Sequence, residues 1–215
     1  MKKHIKFIPV LLMIMSCSQG TSKNETSFKE EVVISNNEND TVKTSLNSDN
    51  KCLSEFVKFR EYIYQGKKDS VRQYFTFPIK KDASNWWALA LMGNDALYSK
   101  QNTSTFTEED FDKYFDKLFY PEYVENLLKV KSKELFEKGY YETPYIVKKY
   151  NDEETDEIKI SMRATYDKKT RILELSVCPE GYKDGKKTWD SGTVEYDFQY
   201  DENCNLKFYR LIIAG

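Results

Sequence analysis

Carboxylates and three cysteines, Cys52, Cys178 and Cys204, are the groups of this 215-residue chain with the most chemistry open to them. The only histidine is His4, inside a short charged and apolar start. Beyond that start there is no imidazole base, no Ser-His-Asp arrangement and no His-ligated metal. No glycine-rich phosphate loop or dinucleotide fingerprint appears. A thiol nucleophile would need a neighbour that lowers its pKa, and no histidine is available for it. The acidic run Asp152, Glu153, Glu154, Asp156 and Glu157 lacks calcium-loop spacing and reads as a solvated turn. The expectation is a chain with no catalytic residues, no cofactor and no metal.

The cysteines then become a question of cross-linking. In an oxidising compartment three of them supply one disulfide and leave one thiol over. Strand alternation puts Cys178 on the face of Glu174 and Ser176, and Cys204 on the face of Leu206. A simple meander places those two at opposite ends, so Cys52 with Cys204 is the favoured pair, with unpaired buried cysteines as the alternative.

The elements that must position these groups fall into two halves. Leu53, Phe56, Val57, Arg60 and Ile63 stand at helical spacing, predicting a helix to about Gln65 that stops near Gly66. Asp69 can cap a short second helix running through Tyr74. Phe77-Pro78-Ile79 reads as an extended edge segment. The patch of Trp86, Trp87, Leu89, Leu91 and Met92 is ambiguous between helix and strand. Thr107 with Asp110 makes a near capping box ahead of the face Phe111, Tyr114, Phe115 and Leu118. Pro121 opens one further helix that runs to a C-cap at Gly139. After Pro144 the period becomes alternating, in four strands around Ile158–Tyr166, Leu173–Val177, Val194–Tyr200 and Leu206–Phe208. Asp167–Thr170 and Asp201–Asn205 are tight turns, and Pro179–Gly192 is a longer loop. Helices first and strands last define an α+β fold, an antiparallel β-meander with its apolar face on the N-terminal helices.

The start carries an address. Lys2, Lys3 and Lys6 precede an apolar run from Phe7 to Met15 that is too short to span a bilayer, and Ser16 and Cys17 follow it. This resembles the signal and lipobox of bacterial lipoproteins, which implies cleavage after residue 16 and acylation of Cys17, the lipidation site. Several acyl chains hold a protein on a membrane, since each buried methylene adds ~0.8 kcal/mol. Ser18 after the cysteine implies the outer membrane, and the absence of an acidic cluster up to Lys23 implies the periplasmic side of the cell envelope. Residues 17–50 are polar, with a few scattered apolar groups, and read as a flexible tether roughly 30 Å in mean reach. Asp40-Thr41-Val42 within it, and Asp69-Ser70-Val71 beyond it, resemble the short O-glycosylation acceptor of Bacteroidetes secreted proteins. The formal net charge is −2, and −5 once the three lysines of the start are removed. Such a surface excludes nucleic acid as a partner.

The succession of Phe56-Val57-Lys58-Phe59, Phe77-Pro78-Ile79, the Trp pair, Phe106 to Phe119 and a meander ending in Leu211-Ile212-Ile213-Ala214-Gly215 resembles NTF2-like domains of Bacteroidetes lipoproteins of unknown function. The resemblance covers residues 51–215 and implies a curved sheet wrapped over helices as a cone with an apolar cavity. Trp86, Trp87, Tyr196, Tyr200 and Arg210 would line that cavity and hold an apolar or aromatic small molecule or a partner peptide. Arg210 is counted inward because it shares parity with Leu206, Phe208 and Ile212, where it would meet a carboxylate partner or an anionic ligand. A non-catalytic binding or scaffold domain is the first reading. A small enzyme of the ketosteroid-isomerase or dehydratase kind, using a carboxylate base and a tyrosine, is the alternative. The resemblance leaves a homodimer open, and the protein or small-molecule partner unknown.

Overall fold

The computed structural model describes residues 42–80, 85–94, 97–98, 105–149, 156–190 and 192–214, without the side chains of residues 42–49 and 190. Cys17, the Asp40-Thr41 pair and Asp152–Glu154 lie outside them. Among the described residues no helix is long and apolar enough to cross a membrane.

The helices come first: α1 Val42–Tyr64, α2 Lys68–Arg72, α3 Trp86–Ala90, α4 Glu108–Leu118, α5 Pro121–Lys129 and α6 Ser132–Lys138. Helix α1 begins eleven residues ahead of Leu53, inside the stretch read as tether. The spacing of Val42, Leu46 and Leu53 fits a helical period, but polar composition masks it. Lys67, not Asp69, is the N-cap of α2; Asp69 falls in its first turn, and Val71 is buried. At α4 the reading of Thr107 is met in full. Its hydroxyl accepts from Asp110 N while its own N–H donates to the Asp110 carboxylate at 3.0 Å. The stretch from Pro121 to Gly139 is two helices rather than one. Val130 adopts extended backbone between them, and its carbonyl accepts from Arg60 Nη1 at 2.6 Å. Gly139 closes α6 in the left-handed region at φ 77°, as a C-cap glycine does.

The strands form one antiparallel sheet of seven: β1 Tyr140–Glu142, β2 Ile146–Lys149, β3 Asp156–Asp167, β4 Ile172–Lys183, β5 Lys186–Asp190, β6 Thr193–Tyr200 and β7 Leu206–Ala214. Their order is β1-β3-β4-β6-β7, with β2 also on β3 and β5 also on β4. Three of these strands go beyond the four expected. The expected loop Pro179–Gly192 is instead the end of β4, a hairpin and β5. Its turn is Asp184-Gly185, both at positive φ, the Asp-Gly signature of a two-residue hairpin. Cys178 and Pro179 fall between the two partners of β4 on that side, β6 up to Val177 and β5 from Glu180. A residue without an N–H is tolerated there. Gly181 lets the half-exposed Trp189 ring lie close over the strand, since a Cβ there would come within 2.2 Å of it.

One face of the sheet packs on the helices through Met162, Ala164, Tyr166, Leu173, Leu175, Val177, Tyr196, Phe198 and Tyr200, all buried. A polar tie crosses this core. Thr143 Oγ1 donates to Asn126 Oδ1 at 2.7 Å and accepts from Met162 N at 2.8 Å, while Asn126 Nδ2 donates to the Glu122 carbonyl at 3.0 Å. Both side chains are buried and satisfied, so the tie fixes α5 against β3 without an orphaned group. Arg72 links α2 to α4, with Nη2 on the Asp112 carboxylate at 2.7 Å and Nη1 on Glu108 at 2.8 Å.

A disulfide joins Cys52 of α1 to Cys204 in the β6–β7 turn, across 152 residues of sequence. That turn is built by Asp201, whose carboxylate accepts from the N–H groups of Asn203 and Asn205 and from Asn205 Nδ2. Cross-linking so long a loop removes conformational freedom mainly from the unfolded chain. Cys52→Ala should lower the unfolding free energy by about 2–5 kcal/mol. Urea denaturation of the oxidised protein checks it, and an unchanged midpoint would mean that the bridge constrains nothing.

Candidate functional site

The aromatic residues expected to line a cavity are the core itself. Trp86 and Tyr196 are fully buried and meet edge to face at 6.0 Å, and Tyr196 stacks on Phe119 at 6.1 Å and touches Tyr123 at 4.5 Å. The Tyr196 hydroxyl donates to the Leu118 carbonyl. Trp87 packs on Phe106 at 4.9 Å, and Tyr200 lies against Phe136 and Tyr166. Among the described residues these rings pack against one another between sheet and helices.

Arg210 is on the other face, which corrects the parity assigned to it. In the β6–β7 ladder Asp197 pairs with Arg210 but Phe198 pairs with Phe208, so Tyr209 is an extra residue, a β-bulge. Up to Phe208 the even positions of β7 point inward; beyond the bulge Leu211 is buried and Arg210 and Ile212 point away from the helices. The signal was present in the sequence, since the apolar positions 206, 208, 211 and 213 slip phase by one residue.

That slip assembles a polar cluster on the open face of the sheet. Lateral pairing sets Thr165, Glu174, Asp197 and Arg210 in one row across β3, β4, β6 and β7, and Arg163, Ser176, Glu195 and Ile212 in the next. Asp197 is fully buried although it faces away from the helices. Arg210 Nε donates to its Oδ2 at 2.5 Å, and Oδ1 is buried without a hydrogen bond. Glu174 accepts from Thr165 Oγ1 at 2.7 Å, and Glu195 accepts from Ser176 Oγ at 2.9 Å. Burial raises the Asp197 carboxyl to about 6; Arg210 opposes the rise, and the charges of Glu195 and Glu174 add to it. Arg210 shifts upward through the same pair. For Asp197, lost hydration outweighs what one half-exposed guanidinium returns.

Cys178 extends the same face, half-buried, its thiol 3.7 Å from the Ser176 carbonyl. Burial pushes that thiol up, against the pull of Arg163, which leaves it a poor nucleophile. At the disulfide end of the domain a groove of about 500 Å³ opens between α1 and β7, lined by Glu55, Lys58, Tyr62, Tyr74, Asn205 and Lys207 among others. Tyr74 donates to Glu55 Oε1 at 3.2 Å, and burial followed by the Glu55 charge raises its phenol. Among the described residues no group of His, Cys, Asp and Glu side chains could hold a metal ion. Comparison with protein-family models, curated proteins and solved structures finds no match to this chain.

The raised Asp197 carboxyl makes a signed prediction. A carboxyl that ionises later in the fold than in the unfolded chain loses stability as pH rises from the ordinary range near 4 through about 6. Asp197→Asn cannot ionise, so its melting temperature relative to wild type should climb by about 5–10 °C between pH 4 and pH 7. A flat difference curve would show that Asp197 titrates normally.

Proposed function

We propose that this chain is an envelope lipoprotein, anchored at Cys17 on the periplasmic side of the outer membrane, whose NTF2-like domain binds a partner protein through the open face of its sheet and does no chemistry. The packed interior carries this reading. Trp86, Tyr196 and Tyr200, at 2% exposure or less, are packed among other rings, which favours recognition at the surface. The order of helices before a single antiparallel sheet supports the NTF2-like layout, with its cone filled rather than hollow. The open face offers what a binding surface needs: charged side chains around a buried carboxylate, and Tyr140 and Tyr209 about half exposed at its flanks.

The Glu55–Tyr74 pair favours a second reading, a small isomerase or dehydratase working in the end groove. Its geometry argues against that role. The phenol donates to the carboxylate itself, whereas a base and an oxyanion donor must face a substrate held between them. Lys58, Asp201 and Lys207 make the groove polar, so it lacks the dry wall that tunes such a carboxylate.

Cys17→Ala should move the protein from the membrane fraction to the soluble one without changing its melting temperature. Continued sedimentation with membranes would refute the anchor. A photo-reactive residue at Thr165, on the open face, should give a discrete cross-linked species in intact cells, while one at Lys133, on the helical side, should give none. Silence from Thr165 would remove the binding role.

A further inference from the structure

The two rows around Asp197 hold more negative charge than they answer. Glu174 and Asp197 are direct cross-strand partners, and Glu195 lies two residues from Asp197 on the same side of β6. Against these three carboxylates stands one guanidinium, Arg210, which engages Asp197 through Nε alone and whose side chain is 44% exposed. The hydroxyls of Thr165 and Ser176 that serve Glu174 and Glu195 are neutral donors and balance no charge. Arg163, the other cation of these two rows, stands between Ser176 of β4 and Glu142 of β1 in the ladder, and among the described residues it makes no ion pair with any of the three.

A second observation, independent of the acidic composition, points to a missing donor. Asp197 is fully buried, yet its Oδ1 has no hydrogen-bond partner among the described residues. A buried ionised oxygen left in this way is costly, and structures ordinarily satisfy it. The groups packed around it are Glu174 from β4, Glu195 from β6 and Arg210 from β7. Glu174 and Glu195 are long, half-exposed and held by hydroxyl bonds from Ser and Thr, so their side chains have the freedom to re-orient toward an incoming donor.

We propose that Glu174, Glu195 and Asp197 form a receptor for the guanidinium group of an arginine on the partner protein, seated beside Arg210. This rests on the reading of the open face as a binding surface and adds the chemistry of what it binds. Charge complementarity selects a cation, and geometry selects its kind. Glu174 and Glu195 stand diagonally on adjacent strands, a separation that a planar fork of five N–H donors can bridge. An ammonium is a compact point charge and cannot meet both carboxylates and Oδ1 with comparable geometry. The carboxylates are spread along two strands and not gathered into a metal-binding group. Arg210 keeps Asp197 paired in the free protein, and the incoming guanidinium supplies the donor that Oδ1 lacks.

The probe is a tetra-arginine peptide titrated calorimetrically into the full chain at low salt, with tetra-lysine and calcium chloride in parallel. The expected result is saturable binding of tetra-arginine, several-fold weaker binding of tetra-lysine and no heat from calcium. The double variant Glu174→Gln, Glu195→Gln should weaken tetra-arginine by about tenfold or more, as loss of charge-assisted bonds requires. Unchanged thermal unfolding of that variant would establish that the fold is intact. For wild type, affinity should fall between pH 7 and pH 5 as Asp197 takes up its proton. Equal affinity for the variant, preference for calcium, or self-association of the chain that the same substitutions abolish would each overturn the proposal. If cross-links from Thr165 persist while tetra-arginine fails to bind, the arginine receptor falls and the binding surface stands.

Discussion

The rings packed between the helices and the sheet are the constraint on which the rest of the molecule depends. Phe75 lies at their centre, in contact with Phe77, Trp86, Phe111, Phe119, Phe198 and Phe208, and so joins α3, α4, β6 and β7 through one side chain. Large flat groups at edge-to-face and stacked distances bury much area for few rotatable bonds, which lets a highly charged chain hold a dense interior. Among the described residues, Trp86, Tyr196 and Tyr200 are taken up by this packing.

Surface chemistry, in turn, is set by a single extra residue. Without the bulge at Tyr209, Arg210 would stand inside an apolar core and Asp197 would have no cation across the ladder. With it, β7 keeps its apolar residues inward on both sides of the bulge and delivers the guanidinium to the opposite face. The same residue thus removes a buried charge from the core and creates a charge pair outside it. Burying Asp197 beneath its neighbours then costs more than Arg210 returns, which is why its carboxyl is held in the neutral range rather than at its ordinary acidity.

The ends of the domain are tied by other means. The Cys52–Cys204 bridge fixes α1 to the β6–β7 turn, Arg72 locks α2 to α4, and the Asn126–Thr143 pair fixes α5 to the sheet through buried, fully matched hydrogen bonds. These contacts join elements far apart in sequence. They tie the helical layer to itself and to the sheet.

What the amino-acid order determined alone was local. The capping box at Thr107 and Asp110, the proline start of α5, the glycine end of α6 and the alternation of β3, β4, β6 and the first half of β7 were all legible, because each is a bond or a period spanning a few residues. The Asp-Gly turn of the β4–β5 hairpin and the phase slip at Tyr209 were also written locally, but a loop and an unbroken strand explained the same letters equally well. The short strands β1 and β2 carry too few residues to show a period and exist because the long edge of β3 pairs with them. The side on which Arg210 stands, the burial of Asp197 and its meeting with Glu174 and Glu195 depend on lateral register among three strands. That register is chosen by the packing of the aromatic core, an interaction between distant parts of the chain that no window of neighbouring residues contains.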